Sequence, residues 1–447
     1  MITIVKPQEH IAKLWGTLRI GDNEAYRMMR YVLRVDHDGK VLLHNVVTGQ
    51  LVVLDEEERK LIDVLPTQYS PTLQALLRDH FLVPEKYNDH DEVTKLRKIL
   101  RRLYEKWEPR NISKYTILPT TACNARCYYC FERNAKISTM TAKTADDVVS
   151  YISGNTKPGM PIVILWFGGE PTVAANRIDQ ISEGLIRHGI NFTSRMMSNA
   201  YLLEEEMVKR ASTIWHLKSV KICFDGDKDQ YRRIKAYLND DGDPYERVMS
   251  NIGYLLKAGI EVNIRMNFDL DTSEKFALLI EDAIKRFGEN PLLGITAHPI
   301  IGAYPGPDGS IAHGDDEWLE RKTLELNSIA RMHRIKTNVG LPHLEYKGCS
   351  AARRSAVTIT PDGSLVRCLE QFGDDQITGN IYDGMTNEEL IESWRCFADY
   401  SRCRSCALFP VCGRLSRCAV KEKCYYYLEY IEQYTEAVKK QYEKECV

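Results

Sequence analysis

Between residues 112 and 300 the chain alternates two hydrophobic rhythms. Short runs rich in β-branched and aromatic residues fall at 115–118, 162–167, 194–197, 220–224, 261–266 and 293–297. Between them, at 141–153, 176–188, 204–211, 245–258 and 273–287, apolar residues recur three and four apart. The first pattern predicts strands and the second amphipathic helices. Six alternations of this kind predict an α/β fold, a parallel sheet curled into a partial barrel with its functional groups at the strand C-terminal ends.

The segments on either side follow other patterns. Residues 31–35 and 40–45 alternate around Asp38-Gly39, a hairpin signal, and 50–54 adds a third strand after Thr48-Gly49. Helical patterns follow at 56–64 and 71–81. A basic stretch at 95–102 runs on to Trp107 and predicts a connecting helix whose charges form a solvated face. A Gly/Pro-rich loop at 302–309 precedes a helix at 316–334, and a Tyr-rich helix at 424–443 ends the sequence. The organisation expected is therefore an N-terminal unit (1–94), a linker helix (95–111), the barrel (112–300), a bridge (301–348) and a C-terminal domain (349–447).

At 447 residues there is room for two to four domains with substantial cores. A formal net charge of −2 points to neither nucleic acid nor an anionic membrane as partner. No apolar run spans a bilayer, and the first residues lack the apolar core of a secretory signal, so a cytoplasmic location is expected. Such a chain rarely holds disulfides, yet it has 13 cysteines, three of them within 123–130 and six within 396–424. That bunching points to metal or cluster ligation.

Cys123, Cys127 and Cys130 lie just after the first barrel strand, in Thr-Ala-Cys-Asn-Ala-Arg-Cys-Tyr-Tyr-Cys. Zinc sites pair cysteines two to four residues apart with a matching pair further on, a template this run fits poorly. Three thiolates instead suit three corners of a cubane iron–sulfur cluster with one iron left open, whereas electron-transfer clusters normally have four. After the second strand comes Trp166-Phe167-Gly168-Gly169-Glu170-Pro171. Together the two motifs resemble the signature of the radical S-adenosylmethionine (radical SAM) enzymes. The resemblance implies that the open iron binds the amino and carboxylate groups of SAM, and that one electron releases methionine and a 5'-deoxyadenosyl radical.

By the same resemblance, Gly168, Gly169 and Glu170 place the SAM amino group, the bare backbone allowing close approach. Ser198 and Asn199 at the third strand end face the ribose, Tyr129 lies beside the adenine, and Arg265 pairs with the SAM carboxylate through its planar fork. Asp225-Gly226 ends the fourth strand, a familiar family position. Two departures stand out: Cys223 replaces the usual serine two residues before Asp225, and Lys235 stands where relatives often carry an arginine.

Cys349, Cys368 and the series Cys403, Cys406, Cys412, Cys418, Cys424 resemble the SPASM domain, a seven-cysteine extension holding two auxiliary clusters. Its pattern implies Cys349, Cys368 and Cys418 on one cluster and Cys403, Cys406, Cys412 and Cys424 on the other. The spacing from Cys412 to Cys418 leaves five residues between them where relatives usually have three, and a single Gly413 replaces a double glycine. A zinc ribbon explains Cys403 and Cys406 locally but leaves Cys349 and Cys368 unexplained. Cys223, Cys396 and Cys446 fall outside the pattern, Cys396 being a spare ligand at most.

The N-terminal order of strands then helices resembles the winged-helix element that recognises peptides in many peptide-modifying radical SAM enzymes. The resemblance as a whole implies SAM, three [4Fe–4S] clusters, a flavodoxin- or ferredoxin-type reductant and a precursor peptide whose leader binds the N-terminal domain. The expected activity is crosslinking of a ribosomally synthesised peptide, a thioether first and a carbon–carbon bond second. Alternatives are oxidation of a residue in a protein substrate, as in sulfatase maturation, and an iron–sulfur electron carrier. Against sulfatase maturation, Leu369 stands where such relatives carry an Asp after the cysteine matched by Cys368; Glu370, next in line, is a weak acid–base candidate.

Overall fold

The computed structural model describes residues 1–21, 24–239, 242–300, 315–333, 340–418 and 424–446. Its centre is six parallel strands: β8 (Lys114–Thr120), β9 (Ile162–Gly168), β10 (Phe192–Ser198), β11 (Leu217–Cys223), β12 (Glu261–Phe268) and β13 (Leu293–Pro299). Helices α5 (Ala142–Asn155), α6 (Ala175–Arg187), α7 (Glu205–Thr213), α8 (Lys228–Lys235), α9 (Pro244–Lys257) and α10 (Phe276–Phe287) connect them, and α11 (Asp316–Met332) follows β13. One face of every strand is buried: Ile117, Ile164, Trp166, Val220, Ile222, Ile264 and Ile295 join Val148, Ile178, Leu255 and Ile280 in one core. The opposite positions, such as Leu165, Lys221, Cys223 and Arg265, are only half-buried and line the concave inner face. This is the α/β partial barrel expected, strand for strand.

The sheet does not stop at the barrel. β14 (Ala356–Ile359) pairs parallel to β8, and β15 (Ser364–Val366), β16 (Ile377–Asn380) and β17 (Gly384–Met385) extend it antiparallel. A boundary at 349 therefore separates segments of chain that share one sheet. Helices α12 (Glu388–Ser393) and α13 (Tyr427–Cys446) complete this region, α13 starting three residues later than expected.

The N-terminal unit contains β1 (Ile2–Val5), α1 (Glu9–Trp15), β2 (Ala25–Met28), β3 (Val32–His37), β4 (Lys40–Asn45), β5 (Gln50–Val53), α2 (Glu56–Ile62), β6 (Thr67–Gln68), α3 (Gln74–Arg78) and β7 (Leu82–Pro84). The expected hairpin is β3–β4, with β5 beside it. β1 joins the edge of that sheet, and β6, β2 and β7 form a second small sheet. Neither addition was legible, because β1 has no buried residue and so no alternating face to betray it.

The connecting helix α4 spans Asp89–Trp107, beginning ahead of the expected 95. The Asn88 side chain accepts the Asp91 N–H at 3.2 Å, and Asp89, Asp91 and Glu92 supply negative charge to the first turn. A boundary at 94 thus cuts a helix. Far from being only a solvated face, α4 buries Arg97 and Arg101. Arg97 donates to the Pro410 carbonyl at 2.9 Å and lies over the Phe409 ring, while Arg101 donates to the Ala352 carbonyl at 2.8 Å. Phe409 also belongs to the N-terminal core, with Cys403 and Cys406 packed against it. The first and last parts of the chain are therefore one packed body. The helix expected at 316–334 is α11; the loop expected at 302–309 lies outside the described residues.

Candidate cluster and cofactor site

The cysteine loop leaves the end of β8 and is fastened at several points. Thr121 N–H donates to the Ser138 carbonyl at 2.9 Å, Arg126 N–H to the Lys235 carbonyl at 2.8 Å, and Leu238 N–H to the Asn124 carbonyl at 2.9 Å. Cys130 N–H donates to the Cys127 carbonyl at 3.2 Å, turning the loop back on itself. Burial pushes the Cys123 thiol up to about 12 and the Cys127 thiol up to about 11, and the neighbouring cysteines add to the rise. Thiols held like this ionise only against a compensating positive charge, such as the irons of a cluster. Cys223, at the end of β11, lies close enough to Cys127 and Cys130 to affect both.

The glycine motif serves this loop. Gly168 has φ +121°, and a Cβ there would lie 2.1 Å from the Thr120 carbonyl oxygen; one on Gly169 would lie 2.4 Å from that of Ala122. Gly169 and Glu170 donate their N–H groups to the Thr120 and Ala122 carbonyls at 3.2 and 2.9 Å. The glycines thus admit the cysteine loop itself, where ligand approach was the expectation. Glu170 is fully buried, and burial pushes its carboxyl up against the pull of its donors: Thr172, Ser198 Oγ at 2.9 Å and Asn199 N–H at 2.7 Å. Asn199 Nδ2 reaches Asn124 Oδ1 at 2.7 Å. Glu170, Ser198 and Asn199, the residues expected against SAM, also form a brace behind the first cysteine.

A second brace lies on the other side of the loop. Asp225 accepts from the Tyr129 hydroxyl, from Lys235 Nζ at 2.7 Å, and from Asn267 N–H and Nδ2 at 2.7 and 3.1 Å. Burial works against the Lys235 ammonium, but Asp225 beside it holds its pKa well above the ordinary lysine value. Tyr129 is therefore held by its hydroxyl at a polar node, and Arg265 touches that node only through Asn267 Oδ1, at 2.9 Å. Sequence reasoning missed Tyr128, whose hydroxyl donates to Asp269; the repeated tyrosine between two cysteines was the available signal.

The C-terminal cysteines lie within reach of one another. Cys349 and Cys418 both influence the Cys368 thiol, which burial pushes up to about 11. Cys406, likewise pushed up to about 11, feels Cys424, Cys412 and Cys403. Cys418 in turn feels both Cys349 and Cys412, so the seven thiols form one connected neighbourhood in which the grouping implied by the SPASM resemblance is an expectation. Among the described residues no three His, Cys, Asp or Glu side chains converge as a single metal ion requires. A cubane differs, since its thiolates surround a cluster rather than one ion. Glu370 is exposed on the turn after Cys368. Cys396 and Cys446 are exposed as well.

Residues 117–283, from the first barrel strand to the last barrel helix, match the model of the Radical SAM superfamily. The chain carries a radical SAM domain. It is accordingly an enzyme, one that uses SAM and a [4Fe–4S] cluster. Solved structures share its fold at low identity. Native anSMEcpe with bound AdoMet and Cp18Cys peptide is 17% identical over 72% of this chain and 96% of that one, with a TM-score of 0.52. Streptococcus suis SuiB bound to precursor peptide SuiA is 16% identical over 92% of this chain and 99% of that one, with a TM-score of 0.51. No curated protein matches the chain. Among the described residues, no helix is long and apolar enough to cross a membrane.

Proposed function

We propose that this radical SAM enzyme matures a ribosomally synthesised precursor peptide by installing a crosslink, a thioether first and a carbon–carbon bond second. The observation that supports this reading is the crowding of seven C-terminal cysteines on a region that continues the barrel sheet, Cys368 feeling Cys349 and Cys418, and Cys406 feeling Cys403, Cys412 and Cys424. In this reading Cys123, Cys127 and Cys130 hold the cluster that binds SAM. Cys349, Cys368 and Cys418 hold a first auxiliary cluster, and Cys403, Cys406, Cys412 and Cys424 a second. With SAM and an electron from a flavodoxin- or ferredoxin-type reductant, the first cluster supplies a 5'-deoxyadenosyl radical.

The protein's own part is placement. The brace through Glu170, Ser198 and Asn199 fixes Cys123, and the node of Tyr129, Asp225, Lys235 and Asn267 fixes the loop between Cys127 and Cys130. The N-terminal unit binds the leader of the peptide, which its small sheets and its packing against the cluster region support. The fold shared with SuiB, whose structure holds a precursor peptide, supports a peptide substrate, and a cytoplasmic location accords with both. Oxidation of a protein residue, the second reading, draws on the fold shared with anSMEcpe; Leu369 after Cys368 weighs against it.

Two measurements test the proposal. Anaerobic reconstitution should load about twelve irons per chain, three cubanes, and Cys349→Ala or Cys406→Ala should each lower that by about four. Co-expression with a short peptide encoded beside the gene should change that peptide's mass by the hydrogens a crosslink removes. An unchanged mass with fully loaded clusters would sink the crosslinking reading.

A further inference from the structure

The inner face of the barrel carries a pair of cations that the braces around the cysteine loop do not use. Lys221 on β11 and Arg265 on β12 are half-buried on the concave side. Register puts Arg265 beside Cys223, so Lys221 is its diagonal neighbour one repeat lower. Neither has an ion-pair partner among the described residues. Arg265 spends only its Nε on a neutral acceptor, Asn267 Oδ1. The two are close enough to repel: after burial, the Arg265 charge is what depresses Lys221, and burial first and then both cations hold His298 on β13 well below its ordinary value. His298 Nδ1 lies 3.0 Å from the Tyr426 hydroxyl, so these two groups are engaged with each other and supply no counter-charge. Asp225, which Asn267 links to Arg265, is taken by Lys235 Nζ at 2.7 Å, the Tyr129 hydroxyl and Asn267, and Glu261 is exposed at the far end of β12 and bonds to neither cation.

Like charges half-withdrawn from water without a counter-charge are costly, and such an arrangement persists where an anion binds. We propose that Lys221 and Arg265 form a carboxylate clamp that takes an acidic group of the peptide substrate, a Glu or Asp side chain or a terminal carboxylate. This deepens the peptide reading above and rests on it for the identity of the ligand. The other source of a carboxylate at this face is SAM, the role expected of Arg265 from sequence. SAM also carries an ammonium and a sulfonium and is a net cation, so a doubly positive pocket repels most of what it brings. A peptide acid brings the compensating charge alone. The planar Arg265 fork gives the clamp direction, and Lys221 adds a point charge.

The test uses the anaerobic, cluster-loaded full-length enzyme with SAM present. Calorimetry compares acetyl-Ala-Ala-Glu-Ala-amide with its Gln counterpart. The acid should bind at least about tenfold tighter than the amide. Lys221→Gln and Arg265→Gln should bring the two peptides within about twofold, and Lys221→Arg should keep the preference. Succinate, followed by saturation-transfer NMR, probes the clamp without any peptide. Succinate binding that needs Lys221, with neither peptide bound, would keep the carboxylate site and overturn the peptide substrate. Equal binding of the two peptides with no succinate signal would overturn the clamp. So would a SAM dissociation constant that rises in both variants while the preference for the Glu peptide persists.

Discussion

Replacing Lys235 by methionine removes the only cation among the described residues that is bonded to Asp225, a carboxylate that is 0% exposed and keeps its bonds to Tyr129 and Asn267. Breaking a buried pair by deleting one partner generally costs about 3–5 kcal/mol, because the remaining charge has lost its compensation. Lys235→Met should therefore destabilise the barrel by about 3–4 kcal/mol at pH 7. Asp225→Asn in the same chain removes the stranded charge and should restore about 2 kcal/mol. Urea titration read from tryptophan fluorescence measures this, because Trp166 and Trp215 are buried in the barrel core. A Lys235→Met loss under 1 kcal/mol at pH 7, or no recovery in the double variant, would refute the reasoning. Because the Lys235 carbonyl also receives the Arg126 N–H of the cysteine loop, the single variant should bind its first cluster less firmly during reconstitution.

Gly169→Ala puts a methyl 2.4 Å from the Ala122 carbonyl oxygen, so the cysteine loop must yield by about 1 Å, at about 1–3 kcal/mol; deoxyadenosine formation should drop about a hundredfold, and a wild-type rate would contradict the brace. His44 and His80 are buried, and desolvation takes them down to about 3 and about 4. Between the ordinary value near 6.5 and those values the unfolded chain binds more protons, so stability is full above about 6.5 and is lost as pH falls. Going from pH 7 to 5 should cost up to about 2 kcal/mol for each histidine, read as loss of amide-exchange protection in β4 after correction for the intrinsic rate; a flat profile would refute it. Asn88→Ala should cost about 1 kcal/mol and fray the first turn of α4, seen as faster exchange at Asp91 and Glu92 with the rest of the helix unchanged.

The barrel strands were legible because parallel strands packed on one side and facing a closed interior on the other read as continuous apolar runs between turn signals. The helix α8 was not. In Lys-Asp-Gln-Tyr-Arg-Arg-Ile-Lys the buried positions are Tyr231, Ile234 and Lys235, and a buried lysine looks to any periodicity argument like a solvated one. The bunching of the cysteines was legible, since they cluster at 123–130 and 396–424 along the chain. The partners of Glu170, Ser198 and Asn199 were not: polar residues at strand ends announce a site, and only the fold shows that they brace the loop beside it. The glycines show the same limit. Their need for bare backbone was legible, but the neighbour that demands it is the chain's own Thr120 and Ala122.

The continuity between β8 and β14 bears on how the proposed clusters would work together. Cys123 follows β8 directly, while Cys349 and Cys368 flank the pair β14–β15, and β14 is hydrogen-bonded to β8 from Ala356 opposite Lys114 to Ile359 opposite Ile117. Arg367, buried one residue before Cys368, donates to the Ala351 and Ala356 carbonyls at 2.8 Å each. Domains joined only by a polar interface move relative to one another. Two thiol sets hung on neighbouring strands of one sheet cannot do so without breaking its backbone hydrogen bonds. In the proposed reaction an electron must leave the substrate after the radical has formed, and its rate falls steeply with any added distance. A shared sheet holds that distance constant through catalysis, leaving the inner face of the barrel as the place where a peptide enters.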